Sequence, residues 1–227
     1  MLIDAHMHTS GISLCSQASP EEVVAACKKD ELDGFVITNH CKESYIKGTT
    51  YREWMERYVA ELRLTRSLAE AEGMKVFSGI EISPNGAWPV EYLVYCPSDE
   101  FLLASPELFA FSQEELYRYC HENGALLYQA HPYRNGATPQ DPRFLDGVEI
   151  NCHPKYDTNE KERVSLFAEQ HKLRLSCGSD YHGDTYKSHC GIVVPDSVTD
   201  SQDFVNHLRE TSDFELVIHD ITPGVIW

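Results

Sequence analysis

The sequence predicts an α/β domain whose mainly parallel sheet closes into a barrel. Apolar runs rich in β-branched and aromatic residues alternate with longer segments of helical period, and 227 residues hold seven or eight such units. Histidines and carboxylates recur just past the ends of those runs, where the strand ends of a parallel barrel converge.

Strands are expected over 2–6, 34–38, 75–82, 91–95, 125–130, 147–151, 173–178 and 190–194. "SPEE" places Ser19 at a helix cap, Pro20 in the first turn and Glu22 three residues on, which is a capping box. "SQEE" repeats it with Ser112 and Glu115, "TDSQ" with Thr199 and Gln202, and Thr158 gives a weaker version. The longest helix is expected over 50–72, ended by Gly73. With no low-complexity tract or internal linker, one domain over 1–227 is the simplest organisation.

A formal net charge of −17 disfavours a protein that tracks along nucleic acid, because such binding needs many cationic contacts to phosphate. The chain opens on the strand-like "MLIDAH" and contains no run of 18 apolar residues, so neither an export signal nor a membrane span is expected. Its eight cysteines form no C-x-x-C pair. They are expected to be reduced cytoplasmic thiols, several packed in the core as small apolar groups.

The motif that opens the site is "DAHMH": His6 and His8, two residues apart on a strand, project to one face and can meet one ion, with Asp4 on the same face to orient them. Glu81 lies within "VFSGIEIS", a run that should be buried, and no basic residue occurs between Lys75 and Arg118 to neutralise it. A metal supplies the missing cation. "GSDYH" repeats the two-residue spacing with Asp180 and His182, a hard oxygen beside an imidazole that suits Zn, Mn or Fe. His131, in "QAHPYR", is expected in extended backbone because Pro132 follows it, and His40, in "TNH", also ends a strand.

Taken in order, H-x-H, a His after the second strand, G-x-E, H-P and G-S-D-x-H, these motifs resemble the polymerase and histidinol phosphatase (PHP) family over nearly the whole chain. The resemblance implies a distorted (β/α)7 TIM-like barrel with two or three divalent ions at its C-terminal face. By position, His6, His8, Glu81 and Asp180 would hold the first ion, with Glu81 bridging to a second. His131 matches a ligand of that second ion, and His40 and His182 match ligands of a third.

Three departures from the family pattern bear on this. Asn39 stands where an Asp commonly precedes the motif histidine, so the support and tautomer of His40 are open. Glu91 occupies a strand position where relatives carry a histidine; it is either a ligand that hardens the second site toward Mn or Mg, or an exposed strand carboxylate. In the loop "TSGISLCSQ" Cys15 alone could bind a metal strongly, where relatives offer an Asp or His.

Two or three ions at a barrel mouth activate water and clamp a phosphoryl group, which implies hydrolysis of a phosphoester. Arg134, three residues after His131, is the candidate phosphate cation, ahead of Arg143, Lys155 and Lys187, and His153 in "NCHPKY" is the candidate substrate contact or proton donor. A low count of basic residues favours a small phosphorylated substrate over long nucleic acid. The alternatives are a metal-dependent amidohydrolase, though no bridging Lys stands at a suitable strand end, and a non-catalytic PHP scaffold.

Overall fold

A computed structural model describes residues 1–154, 158–183, 189–211 and 214–218. Each of the eight expected strands forms within one residue of its expected ends: β1 Leu2–Met7, β2 Gly34–Ile37, β4 Lys75–Ile82, β5 Tyr92–Tyr95, β6 Leu126–Gln129, β7 Gly147–Asn151, β8 Arg174–Gly178 and β9 Gly191–Val193. Two strands of two residues each, β3 His40–Cys41 and β10 Leu216–Val217, are too short to leave a periodic signal. The helices are α1 Pro20–Lys29, α2 Tyr51–Ala71, α3 Asp99–Ala104, α4 Gln113–Glu122, α5 Thr158–His171 and α6 Ser201–Glu210.

Capping chemistry sets the helix starts. Ser19 and Ser112 close capping boxes with Glu22 and Glu115, and Thr50 does the same with Glu53 ahead of α2. The "TDSQ" expectation is off by one residue. Asp200 caps α6 by accepting from the Asp203 amide, because a carboxylate outcompetes the Thr199 hydroxyl for that N–H, and Thr199 bonds the Asp203 side chain instead.

The sheet runs β10-β9-β1-β2-β4-β5-β6-β7-β8, with β3 added beside β4. Around the ring β1, β2, β4, β6, β7 and β8 share one direction, while β5 is antiparallel to both neighbours. A reversed strand needs no crossover helix, and β4 reaches β5 through a loop alone. This reversal and the antiparallel β9 distort the barrel.

The ring closes between β8 and β1 through a single parallel bridge, Met7 to Tyr181, supported by the Asp180 amide donating to the His6 carbonyl at 2.9 Å and the His8 amide to the Tyr181 carbonyl at 3.1 Å. The approach is tight enough that a Cβ on Gly178 would lie 2.4 Å from the His6 Cβ. Closure thus brings Asp180 and His182 onto the strand that carries His6 and His8. Beneath them the barrel is filled by Phe77, Leu93, Tyr95, Leu126 and Tyr128, and α6 plugs the floor with Phe204 stacked 4.8 Å from Phe77. The floor is thus largely apolar, and the histidine cluster lies at the top.

Outside the barrel, Arg66 on α2 forks onto both Asp99 oxygens at 2.9 Å and also donates to Ser78 and the Val76 carbonyl, tying α2 and α3 to β4. Burial would raise the Asp99 carboxyl, but Arg66, Arg63 and Ser78 bring it down to about 2. A carboxyl depressed on folding stabilises the fold above its unfolded pKa and ceases to do so as pH falls through the folded value. Asp99→Asn is expected to destabilise the protein at pH ~5, with the difference from wild type shrinking as pH falls toward ~2, measured by denaturant unfolding.

Candidate metal centre

The site sits on the C-terminal rim, and strand register assembles it. His6 and His8 leave the end of β1; His40 opens β3 directly opposite Glu81 in the β3–β4 pairing; Glu91 precedes β5, His131 follows β6, and Asp180 and His182 follow β8. Six of these eight, His6, His8, Glu81, Glu91, His131 and Asp180, are at most 4% exposed.

One group of donor atoms is the set expected for a first ion. His6 Nε2 and His8 Nε2 are 2.9 Å apart. His6 Nε2 lies 3.5 Å from Glu81 Oε2 and 3.4 Å from Asp180 Oδ1, and His8 Nε2 lies 3.4 and 3.1 Å from the same atoms. Ligands at ~2.0–2.2 Å around a tetrahedral ion are ~3.3–3.6 Å apart, so these spacings are close to a ligand cage.

A second group shares Glu81. His131 Nε2 is 3.0 Å from Glu81 Oε1 and 3.4 Å from Glu91 Oε2, while His40 Nδ1 is 2.7 Å from Glu81 Oε2 and 3.6 Å from Glu91 Oε1. The structure therefore places Glu91 inside the site, buried and accepting from Ser83, rather than exposed on a strand. It also brings His40, expected with His182, against the second group; His40 still meets His8 and His182 in a third cluster, beside Asp180 Oδ1, which is 3.3 Å from His182 Nδ1. Cys15 joins that cluster from the rim: burial raises its thiol, but hydrogen bonds with His182 and His40 bring it down to about 5.

These residues fit divalent ions by their own chemistry. Glu81 Oε2 and His40 Nδ1, both buried, approach to 2.7 Å yet neither finds a hydrogen-bond partner. Buried atoms left without a hydrogen bond are satisfied when a cation takes their lone pairs. Burial opposes charge on Glu81, but His40, His6 and His131 hold its carboxyl well below the usual range. In the same way burial opposes charge on His6, and Glu149, Glu81 and Asp180 hold its ring well above normal. Imidazole and carboxylate donors together suit Zn, Mn or Fe.

Glu149, in the middle of β7, is a residue of the candidate site that sequence reasoning missed. Its Oε1 is 2.7 Å from His6 Nδ1, and its Oε2 accepts from the His131 amide at 2.9 Å, so it steadies two histidines at once and leaves His6 Nε2 to face the first group. The signal was present: a carboxylate in the apolar run "GVEIN" is as costly as the one in "SGIEIS".

Two expectations are corrected. His131 is not extended: its φ is +29°, and the bond from its amide to Glu149, with its ring on Glu81, overrides the preference that Pro132 imposes. Asp180, Tyr133 and Asn135 also have positive φ, at +55°, +79° and +50°, so four of the six described left-handed non-glycine residues lie at the mouth, the other two, Glu31 and Lys172, following α1 and α5. Nor does Asn39 support the His40 ring; its side chain bonds Thr9 and Ser13.

Arg134 pairs with Asp180 Oδ2 at the rim, and with Cys15, His40, Lys42, Trp88, Glu91, His131, His153 and His182 it lines a cleft of about 380 Å³ over the candidate ligands. Buried His153 holds its place through its amide on Asn151 Oδ1, at 2.9 Å. Arg143 is occupied by Asp141 on the surface, His189 bonds the Asp30 carbonyl, and Lys155, Lys187 and His219 lie outside the described residues.

No family model matches the chain, and no curated protein does. Among solved structures, PsfC from Pseudomonas syringae PB-5123 is similar over 96% of this chain and 91% of its own, at 22% identity and a TM-score of 0.68. A two-domain protein from Bacteroides vulgatus ATCC 8482 containing a predicted PHP-like metal-dependent phosphoesterase matches over 80% of this chain and 52% of its own, at 19% identity and a TM-score of 0.56. This chain has the PHP-type barrel. An amidohydrolase from Chromobacterium violaceum, solved with bound sulfate and no metal, is also similar over 92% of this chain and 97% of its own, at 13% identity and a TM-score of 0.60.

The sharing of Glu81 between the two donor groups yields a direct expectation. Glu81→Gln should remove metal from both, whereas Glu91→Gln should spare the group that contains His6 and His8. Elemental analysis of proteins purified without chelator tests this: equal metal content in the two variants would sink the shared-ligand arrangement.

Proposed function

We propose that the protein is a cytoplasmic metal-dependent hydrolase that cleaves a small phosphoester. The observation that carries this reading is Glu81, with donor groups on both of its oxygens, beneath a cleft edged by Arg134. Ions bound there would supply Lewis acidity and an activated water.

In this reading His6, His8 and Asp180 would hold the first ion and His131, His40 and Glu91 the second, with Glu81 available to both. His182, His40 and Cys15 offer a third position. Arg134 holds two equatorial phosphoryl oxygens with its fork, and the ion pair with Asp180 keeps the guanidinium over the site until substrate arrives. His153, on the cleft wall, is placed to give a proton to the departing oxygen. The buried floor and the histidine-lined walls keep charge separation in a low-dielectric setting, where fixed donors act most strongly on the transition state.

The amide-cleaving alternative requires a bridging lysine in many barrel enzymes. Lys42 is the lysine that lines the cleft among the described residues, and its Nζ is engaged over the Tyr45 ring, 4.2 Å from the centroid. The ester reading is therefore favoured.

A panel of small phosphomonoesters, phosphodiesters and amides, assayed before and after chelation, tests the reaction class. Phosphate release that chelation abolishes and Zn or Mn restores is the expected result; amide cleavage alone would reject the phosphoester reading. His131→Ala should lose at least ~100-fold in kcat/KM while its unfolding transition stays cooperative. Turnover like that of wild type in this variant would reject the assignment of the second group.

A further inference from the structure

We infer that Ser13 and Asn39 are positioning residues that fix the proton of His8 on Nδ1, and that the Thr9–Glu61 pair is the reason an asparagine stands at position 39. The inference deepens the proposed metal site and rests on it only for the effect on metal affinity; the tautomer itself is a property of the chain.

Counting protons gives the result. The Thr9 amide is a fixed donor and lies 2.7 Å from the Asn39 side chain, so the atom it meets is the carbonyl Oδ1. The other end of Asn39 is then the amide, which donates to Thr9 Oγ1 at 2.7 Å. Ser13 Oγ is 2.9 Å from the same Oδ1, an atom that can only accept, so the single Ser13 proton points there. The His40 amide, also a fixed donor, takes one lone pair of Ser13 Oγ at 2.9 Å. His8 Nδ1, 3.0 Å from that oxygen, meets its remaining lone pair and must itself carry a hydrogen.

The consequence falls on the opposite side of the ring. With its one hydrogen on Nδ1, neutral His8 presents a lone pair at Nε2, the atom that faces His6, Glu81 and Asp180. Thr9, Ser13, Asn39 and His8 are all fully buried, so no water competes for these bonds.

The same chain explains why Asn39 replaces the more usual acid. Thr9 donates its hydroxyl proton to Glu61 Oε1 on α2, and the Glu61 carboxylate also accepts from the amides of Gly11 and Ile12. An aspartate at 39 would turn a second oxygen toward a Thr9 hydroxyl whose proton is already committed, setting two acceptors against each other in a buried position. Glu61→Gln reverses the direction: its amide donates to Thr9 Oγ1, and the Thr9 proton becomes free to reach a carboxylate at 39.

Two-bond nitrogen–proton NMR of protein labelled with 15N-histidine reads the tautomer directly, and competition with a chromophoric chelator reads Zn affinity. The wild type is expected to show His8 as the Nδ1–H form. Ser13→Ala should mix the tautomers and weaken Zn binding by about 10–100-fold, and Ser13→Thr, which keeps the hydroxyl, should restore both readouts. Asn39→Asp should weaken Zn binding comparably, and adding Glu61→Gln should recover most of the loss. A wild-type His8 in the Nε2–H form, an unaltered tautomer in Ser13→Ala, or a double variant no better than Asn39→Asp would each overturn the inference. None of these outcomes depends on turnover, so inactivity toward phosphoesters would reject the proposed reaction and leave the relay standing.

Discussion

The mouth of the barrel is organised by a desolvated carboxylate. Glu81 is fully buried on β4, and among the described residues its ion-pair partners are histidines rather than Lys or Arg; its charge is met by His6, His40 and His131. A carboxylate in that position is costly unless surrounded by positive charge, and strand register is what delivers the charge. β3 pairs with β4 so that His40 sits opposite Glu81, and the β8–β1 seam adds Asp180 beside His6. Disturbing either pairing would leave buried charge uncompensated, so the site and the upper half of the fold depend on each other.

That dependence separates what was legible in the sequence from what was not. The strands were legible because each is an apolar run with turn residues at its ends, and the ligand candidates were legible because they lie at the strand termini. The direction of β5 was not: "YLVY" reads the same whichever way the strand runs, and only the loop before it tells the difference. His40 could be assigned to a strand end but not to a neighbour, because β3 is two residues long and its partner is 41 positions away.

Glu149 and Ser13 failed to emerge for different reasons. Glu149 carried the signal that singled out Glu81, a carboxylate inside an apolar strand, but no family motif drew attention to it. Ser13 carried no signal at all, since a serine in the polar loop "TSGISLCSQ" is indistinguishable from any turn residue until Asn39 and His40 are folded against it. Asn39 stood out only as a departure. Its meaning depends on Thr9 and Glu61, the latter on a helix 22 residues beyond it, and a hydrogen-bond direction is a property of the assembled set rather than of any one member.

The acidic composition and the cation-seeking site belong together. A net charge of −17 raises the local concentration of divalent cations and repels polyanions, and both effects fade beyond ~8–10 Å at physiological ionic strength. A long nucleic acid would have to lie across that acidic surface, whereas a small phosphoester need approach only at the cleft. There Arg134 and any bound ions dominate the field at contact distance. On the proposed function, charge would thus filter by size: the surface would set which anions reach the mouth, and the buried histidines around Glu81 what happens to one that enters.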